Sequence, residues 1–335
     1  TLAAGPVNVG TTGTTSTAAL GLASVQINQQ ATVTASNLST TPFAGVQLSS
    51  AAGSQLAVNN NQTSASSTGN SVANTVQLIA TNIASTTGDG NAIAAMSNLQ
   101  SNVVTGTASA EVGTGTASAT PLVGVQVGGD VTASSSLTVS GNDVNATALG
   151  NTGANQMAVT GTNLSSAAPT VATGLSSTAS SGGAVTSEFA LANFQNDAVS
   201  VERTATASNV VVGVNTTGAV TSSDLTVANN QVTAEARNNQ ISNTASLTGF
   251  ATLSTSAGLV NTQNATTAVT ATVTAASTGV VAADDITSAN VTIDSNTVQG
   301  LAMGSSASNS LTASAAVLSG NPLTTGTQSG VASTN

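Results

Sequence analysis

The chain has 335 residues, of which 39% are apolar and only 4% charged, with a formal net charge of −10. It contains no Cys, His, Trp, Tyr or Lys, which excludes disulfide frameworks, thiolate or imidazole metal sites, imidazole bases and lysine Schiff bases. Arg203 and Arg237 are the only cations. Two are too few to neutralise a run of phosphates or to hold an anionic lipid surface, so nucleic acid is excluded as a partner.

No run of about 20 apolar residues is present, so no helix inserts into a membrane. A mean hydropathy of +0.23 with so little charge argues against disorder. The aromatic residues are Phe43, Phe189, Phe194 and Phe250. Phe189 and Phe194, with Leu191, read as core. A core built mostly of Ala, Val and Thr suits a long, thin body rather than a wide globule.

In chain order, residues 1–22 are rich in Gly, Thr and Ser and read as an N-terminal tail. Their loose Val7/Val9 alternation suits a strand added to a neighbouring subunit. The start, Thr1-Leu2-Ala3-Ala4, does not read as a signal peptide. Residues 23–319 carry two alternating repeat units, and 320–335 form a C-terminal tail. The weaker unit reads Asn28-Gln29-Gln30, Asn98-Leu99-Gln100, Asn193-Phe194-Gln195 and Asn261-Thr262-Gln263. The stronger unit begins Leu56-x-Val58 with Asn61, Asn70 and Asn74. It recurs as Leu137-x-Val139 with Asn142, Asn151 and Asn155, and as Leu225-x-Val227 with Asn230, Asn239 and Asn243. A fourth copy is Val291-x-Ile293 with Asn296 and Asn309, where Ser305 replaces one Asn. The copies start 81, 88 and 66 residues apart. Ala92 to Met96 is Ala-rich enough for a helical turn, but Ser, Thr and Asn crowd it.

Within a unit the apolar period is two, which means strand. Leu137 and Val139 share a face. After Gly141-Asn142 the phase slips, and Val144, Ala146 and Ala148 become the apolar set until Gly150-Asn151 breaks it again. A slip at an Asn is what a corner produces, because Asn tolerates left-handed backbone and bonds its own main chain. The expected fold is all-β, a β-solenoid whose corner residues are Asn61, Asn70, Asn74, Asn142, Asn151, Asn155, Asn230, Asn239, Asn243, Asn296 and Asn309, with like side chains stacked along the axis. Rungs of ~20–30 residues at ~4.8 Å would give a rod roughly 50–80 Å long.

Candidate chemistry is sparse. Asp284, Asp285 and Asp294 form the densest acidic group, but adjacent strand residues point to opposite faces, which suits an acid–base pair poorly. Gly88-Asp89-Gly90-Asn91 and Gly128-Gly129-Asp130 have the composition of calcium turns without the ligand number calcium needs. No catalytic residue, cofactor or metal ligand is assigned.

The unit holding Asn142, Ala146, Ala148, Gly150, Asn151 and Asn155 resembles the Asn/Gln/Gly/Ala-rich repeats of curli-like bacterial proteins, and is similar in style to holdfast-attachment and other secreted adhesin proteins. Asn145-Ala-Thr-Ala-Leu-Gly150 looks like one turn of a trimeric autotransporter head. The resemblance implies an extracellular or cell-surface structural role in a bacterium. The partners it implies are copies of the chain itself and a surface anchor or glycan. Alternative readings are a ligand-binding rod (an ice-binding protein, for which Thr270-Ala-Thr272-Val-Thr274 is the one Thr-x-Thr run, or a phage-type fibre) and a glycan-cleaving solenoid enzyme.

Overall fold

A computed structural model of the chain describes residues 7–11, 14–29, 32–39, 43–84, 92–102, 106–114, 121–165, 176–177, 188–197, 201–255, 257–265 and 268–318. These form an all-β solenoid of four stacked coils, joined by parallel in-register strand pairs into six sheets. Coil one runs to Ala84, coil two from Ala92 to Ser165, coil three from Phe189 to Ser254, and coil four from Ala257 to Leu318.

Every coil follows one path. An outgoing wall of three strands leads to a two-residue strand at the far bend, and a returning wall then runs back to the start. In coil two the outgoing strands are Ala92–Asn102, Gly106–Gly113 and Val123–Val127, the bend is Val131–Thr132, and the return is Ser136–Ser140 followed by Asp143–Ser165. The two walls pack on each other, so the coil is a flattened loop. This corrects the expected rung size. The copies of the strong unit are successive coils, 81, 88 and 66 residues apart, so a coil is several times longer than a 20–30-residue rung. The stack is correspondingly four strands, roughly 15–20 Å, deep: broad and shallow, not a slender rod.

The phase slips read from sequence occur as expected. Along the return of coil two the buried positions pass from Leu137 and Val139 to Val144, Ala146 and Ala148, then to Asn151, Asn155, Met157 and Val159. They sort into two apolar cores. The core near the far bend holds small residues such as Val125, Val139, Ala146, Val214, Val227 and Ala234. The core at the open end of the loop holds larger ones, including Met96, Met157, Leu164, Phe189, Leu191 and Leu247. Phe189, Phe194 and Leu191 are buried as expected.

The Ala-rich stretch Ala92 to Met96 belongs to a strand, Ala92–Asn102. This strand and its neighbour Phe189–Asp197 are buried on both faces, with Ala95, Ala190, Ala192 and Val260 clustered on the outer side. A strand buried on both sides shows no alternation, which is why its sequence also fits a helical turn. Val7–Thr11 pairs antiparallel with the chain's own Thr14–Ala18, a hairpin that the short link between them favours.

Gly45, Gly124, Gly213 and Gly279 stack in one column. Gly213 has φ +157, and a methyl built on it would overlap the carbonyl oxygen of Gly279. The backbones there approach too closely for any side chain. Gly213→Ala is expected to destabilise the chain by about 3–5 kcal/mol, read as a fall in the midpoint of chemical denaturation.

Candidate functional site

The chemistry-bearing side chains of this chain converge on its interior. Between the two apolar cores lies a buried polar seam, and a second amide column turns the corner into the long returning strand. Both arise because in-register stacking places like residues directly above one another.

The corner column is Asn61, Asn142, Asn230 and Asn296. Asn61 Nδ2 donates to Asn142 Oδ1 at 2.9 Å, Asn142 Nδ2 to Asn230 Oδ1 at 2.8 Å, and Asn230 Nδ2 to Asn296 Oδ1 at 2.9 Å. Each of these oxygens also accepts the main-chain N–H of the Asn below. The second amide hydrogen of Asn142, Asn230 and Asn296 goes to the carbonyls of Val58, Val139 and Val227 respectively. The left-handed residue expected at these Asn positions sits one place earlier, at Asn60, Gly141, Asn229 and Ser295 (φ 57, 67, 56 and 53). Two jobs are therefore split between neighbours: one residue takes the bend and the next stitches the coils.

In the seam, the returning wall supplies Asn70, Asn151, Asn239 and Ser305 in one column, and Asn74, Asn155, Asn243 and Asn309 in another. Asn70 and Asn151 lie inside the continuous strands Gln62–Ala84 and Asp143–Ser165, so in the first column only Asn239 and Ser305 fall at a break between strands, and the second set makes no corner. Asn155 lies inside the continuous strand Asp143–Ser165 and points inward. The outgoing wall answers with Asn98, Asn193 and Asn261. It also carries Gln26, Gln100, Gln195 and Gln263. Asn155 Nδ2 sends one hydrogen to Asn243 Oδ1 (2.9 Å) and the other across the seam to Asn193 Oδ1 (3.2 Å). Gln195 Nε2 donates to Gln100 Oε1 (2.8 Å) and reaches the opposite wall at the Asn151 and Gln240 carbonyls. The seam thus bonds coil to coil and wall to wall at once. Register also revises the weak unit: Ser24, Gln26 and Asn28 stand on Asn98, Gln100 and Asn102. Its first copy is therefore Ser24-Val25-Gln26, four residues before Asn28-Gln29-Gln30.

One ion pair lies in the seam, and sequence reading assigned it no role. Arg203 and Asp197 pair at 2.8 Å with side chains 1% and 0% exposed. Asp197 Oδ1 also accepts from Asn102 Nδ2 at 2.6 Å. Gly150 makes the space: a methyl there would lie 2.9 Å from Asp197 Oδ2 and 3.0 Å from Arg203 Nε. The signal was the lone Arg in an outgoing strand, at a position where the neighbouring coils carry Ala108 and Val269. Desolvation by burial pushes the Asp197 carboxyl above its ordinary 3.8, outweighing the charge of Arg203 and the hydrogen bonds from Asn102 and Arg203. Burial likewise lowers Arg203. The other cation, Arg237, pairs with Glu235 on the same strand face, a partly exposed contact worth little.

The acidic candidates do not assemble. Asp284, Asp285 and Asp294 are exposed on coil four, and Asp284 Oδ1 accepts the Asp285 main-chain N–H. Asp130 Oδ1 accepts the main-chain N–H of Ala219 at 2.9 Å, linking coils two and three. Asp89 lies outside the described residues. Among the described residues no three acidic side chains are grouped so as to hold a metal ion. No family model, curated protein or solved structure significantly matches the chain.

Two measurements test the seam and corner. Asn142→Leu removes the acceptor of Asn61 and the donor to Asn230, and each buried orphan costs about 1–3 kcal/mol; thermal unfolding should fall accordingly. Arg203→Ala leaves the Asp197 carboxylate buried without a counter-charge, an expected loss of about 3–5 kcal/mol. The double variant Asp197→Asn/Arg203→Ala copies the Asn102 and Ala108 that coil two carries at those positions, and should recover most of it in a double-mutant cycle. The pH dependence has a definite sign. Since the folded carboxyl titrates above 3.8, the folded chain takes up this proton first as pH falls. The contribution of Asp197 to stability therefore rises through that window and is complete below 3.8.

Proposed function

We propose that the chain is a structural subunit of a bacterial extracellular filament or cell-surface anchor, assembled by stacking of its β-strands. The observation that carries this reading is the allocation of its polar side chains. The buried Asn and Gln columns are hydrogen-bonded to one another and to main chain, so they serve cohesion between coils. Among the described residues the end coils present unpaired strand edges, apart from Thr14–Ala18, which Val7–Thr11 covers. Open parallel edges template further strands unless they are covered or charged.

The resemblance to curli-like and holdfast-type repeats points the same way, toward the extracellular face of a bacterium, with copies of the chain and a surface anchor or glycan as partners and no cofactor. A ligand-binding rod is the second reading. Thr270 and Thr272 stack on Thr204 and Thr206, but the next coil places Ser109 and Glu111 in those columns, which breaks the uniform Thr lattice an ice-binding face requires. Against the glycan-cleaving reading, Asp284 and Asp285 are adjacent and exposed, and Asp284 Oδ1 accepts the Asp285 main-chain N–H.

The test is assembly of the full chain, followed by sedimentation and negative-stain microscopy at rising concentration. Polymers should form, with little dependence on salt because so few charges are present to be screened. A chain that stays monomeric at high concentration, or one that turns over a polysaccharide and loses that activity on Asp284→Asn, would overturn the proposal.

A further inference from the structure

We infer that the open face of coil four is a docking site for coil one of a second copy, so that assembly is head-to-tail and polar. This inference rests on the self-assembling reading above and specifies which surfaces meet.

The first argument is register. Coil four ends the columns that run through the stack. Leu137, Val139, Val144 and Leu164 of coil two are fully buried, as are Leu225, Val227, Val232 and Leu253 of coil three. Their counterparts in coil four are Val291, Ile293, Val298 and Leu318. These are 36%, 54%, 42% and 53% exposed. They are interior residues lacking the next coil. Among the described residues no strand pairs with the free edge of coil four. Coil one matches it in register, with Gln55–Asn59 corresponding to Asn290–Asp294 and Ala51–Ala52 to Ile286–Thr287, and Val7–Thr11 pairs only with Thr14–Ala18, ahead of the Leu20–Asn28 segment that corresponds to Ala257–Ala265.

The second argument is amide polarity. In the corner column and the seam columns of Asn74 and Asn98 the lower coil donates to the upper, whereas the pairs Asn82–Asn163 and Asn196–Asn264 donate downward. Asn309 Nδ2 therefore ends its column as a donor, and Asn74 Oδ1 begins the same column as an acceptor. The Gln column runs the other way, from Gln263 down to Gln26, leaving Gln263 Oε1 as the acceptor on coil four and a Gln26 N–H as the donor on coil one. Both mismatched ends are satisfied when coil one of the next copy sits on coil four. Stacking coil four on coil four would set donor against donor and reverse the strand direction.

The third argument is charge. Residues 1–88 contain no charged side chain, whereas coil four carries Asp284, Asp285 and Asp294. Coil one meets these carboxylates without repulsion; a second coil four does not.

The column Asn59, Ser140, Ala228, Asp294 supplies the test, since both its end residues are exposed. Head-to-tail stacking brings Asn59 of the next copy beside Asp294. Asn59→Asp should then raise the critical concentration for assembly at low ionic strength by about fivefold, the effect of two like charges one strand apart in water. About 0.5 M salt should cut the difference to about twofold or less, and Asp294→Asn in the same chain should restore wild-type assembly. Unfolding curves of all variants should coincide with wild type. Wild-type polymers that ignore Asn59→Asp, or an Asn59→Asp defect that Asp294→Asn does not repair, would overturn the head-to-tail inference and leave the filament reading standing. A wild-type chain that never assembles would remove the filament reading itself. Assembly that appears only on removal of residues 319–335 would assign the coil-four face to the chain's own C-terminal segment and overturn the inference.

Discussion

Each amide in the seam has to find its partners within one coil's distance. In a stack four strands deep there is no bulk interior in which a misplaced Asn can be accommodated, and a buried polar group without a partner costs more than a hydrogen bond returns. Asn155 resolves this by sending one hydrogen along the stack and the other across it. The arrangement works only if the coil above and the wall opposite both present an amide oxygen at that height. Strand register, coil length and the facing of the two walls are therefore coupled through a few side chains.

The two apolar cores alone would not impose this. Ala and Val on facing walls pack nearly as well after a slide along the strands, since burial is non-directional. The seam lies between the cores and is directional, so it pins one wall against the other; the core beyond it can be filled with small side chains without loss of register. The Asp197–Arg203 pair is the exception within this scheme. It occupies a level where the adjacent coil manages with Asn102 and Ala108, and the charges are held at a desolvation cost that moves both groups toward neutrality. A pair of that kind adds specificity at one level more than it adds stability.

Much of this was legible in sequence because solenoid stacking repeats its chemistry. The four copies of Asn142 and Asn155, the period of two and the slips at Gly141-Asn142 and Gly150-Asn151 all report inward-facing positions directly. Coil length was not legible. The strong and weak units are opposite walls of one coil, and pattern alone does not distinguish two facing walls from two successive rungs. Asn28-Gln29-Gln30 matches the weak unit by letter, whereas it is Ser24 and Gln26 that occupy the column. Arg203 escaped notice because a lone cation in a strand ordinarily faces water; only the space left by Gly150 on the opposite wall makes its burial intelligible.

A column that satisfies each member by the next has no natural end. Most proteins that expose strand edges interrupt them with Lys, Pro or a bulge. Coil four carries neither Lys nor Pro between 257 and 318, and it departs from the columns mildly, with Ser305 accepting where an Asn would both accept and donate. Coil one carries no charged side chain, so no like charge on it opposes approach. The features that hold coils two and three together are thus the ones left open at the two ends: cohesion inside one molecule and attraction between molecules come from a single pattern of side chains.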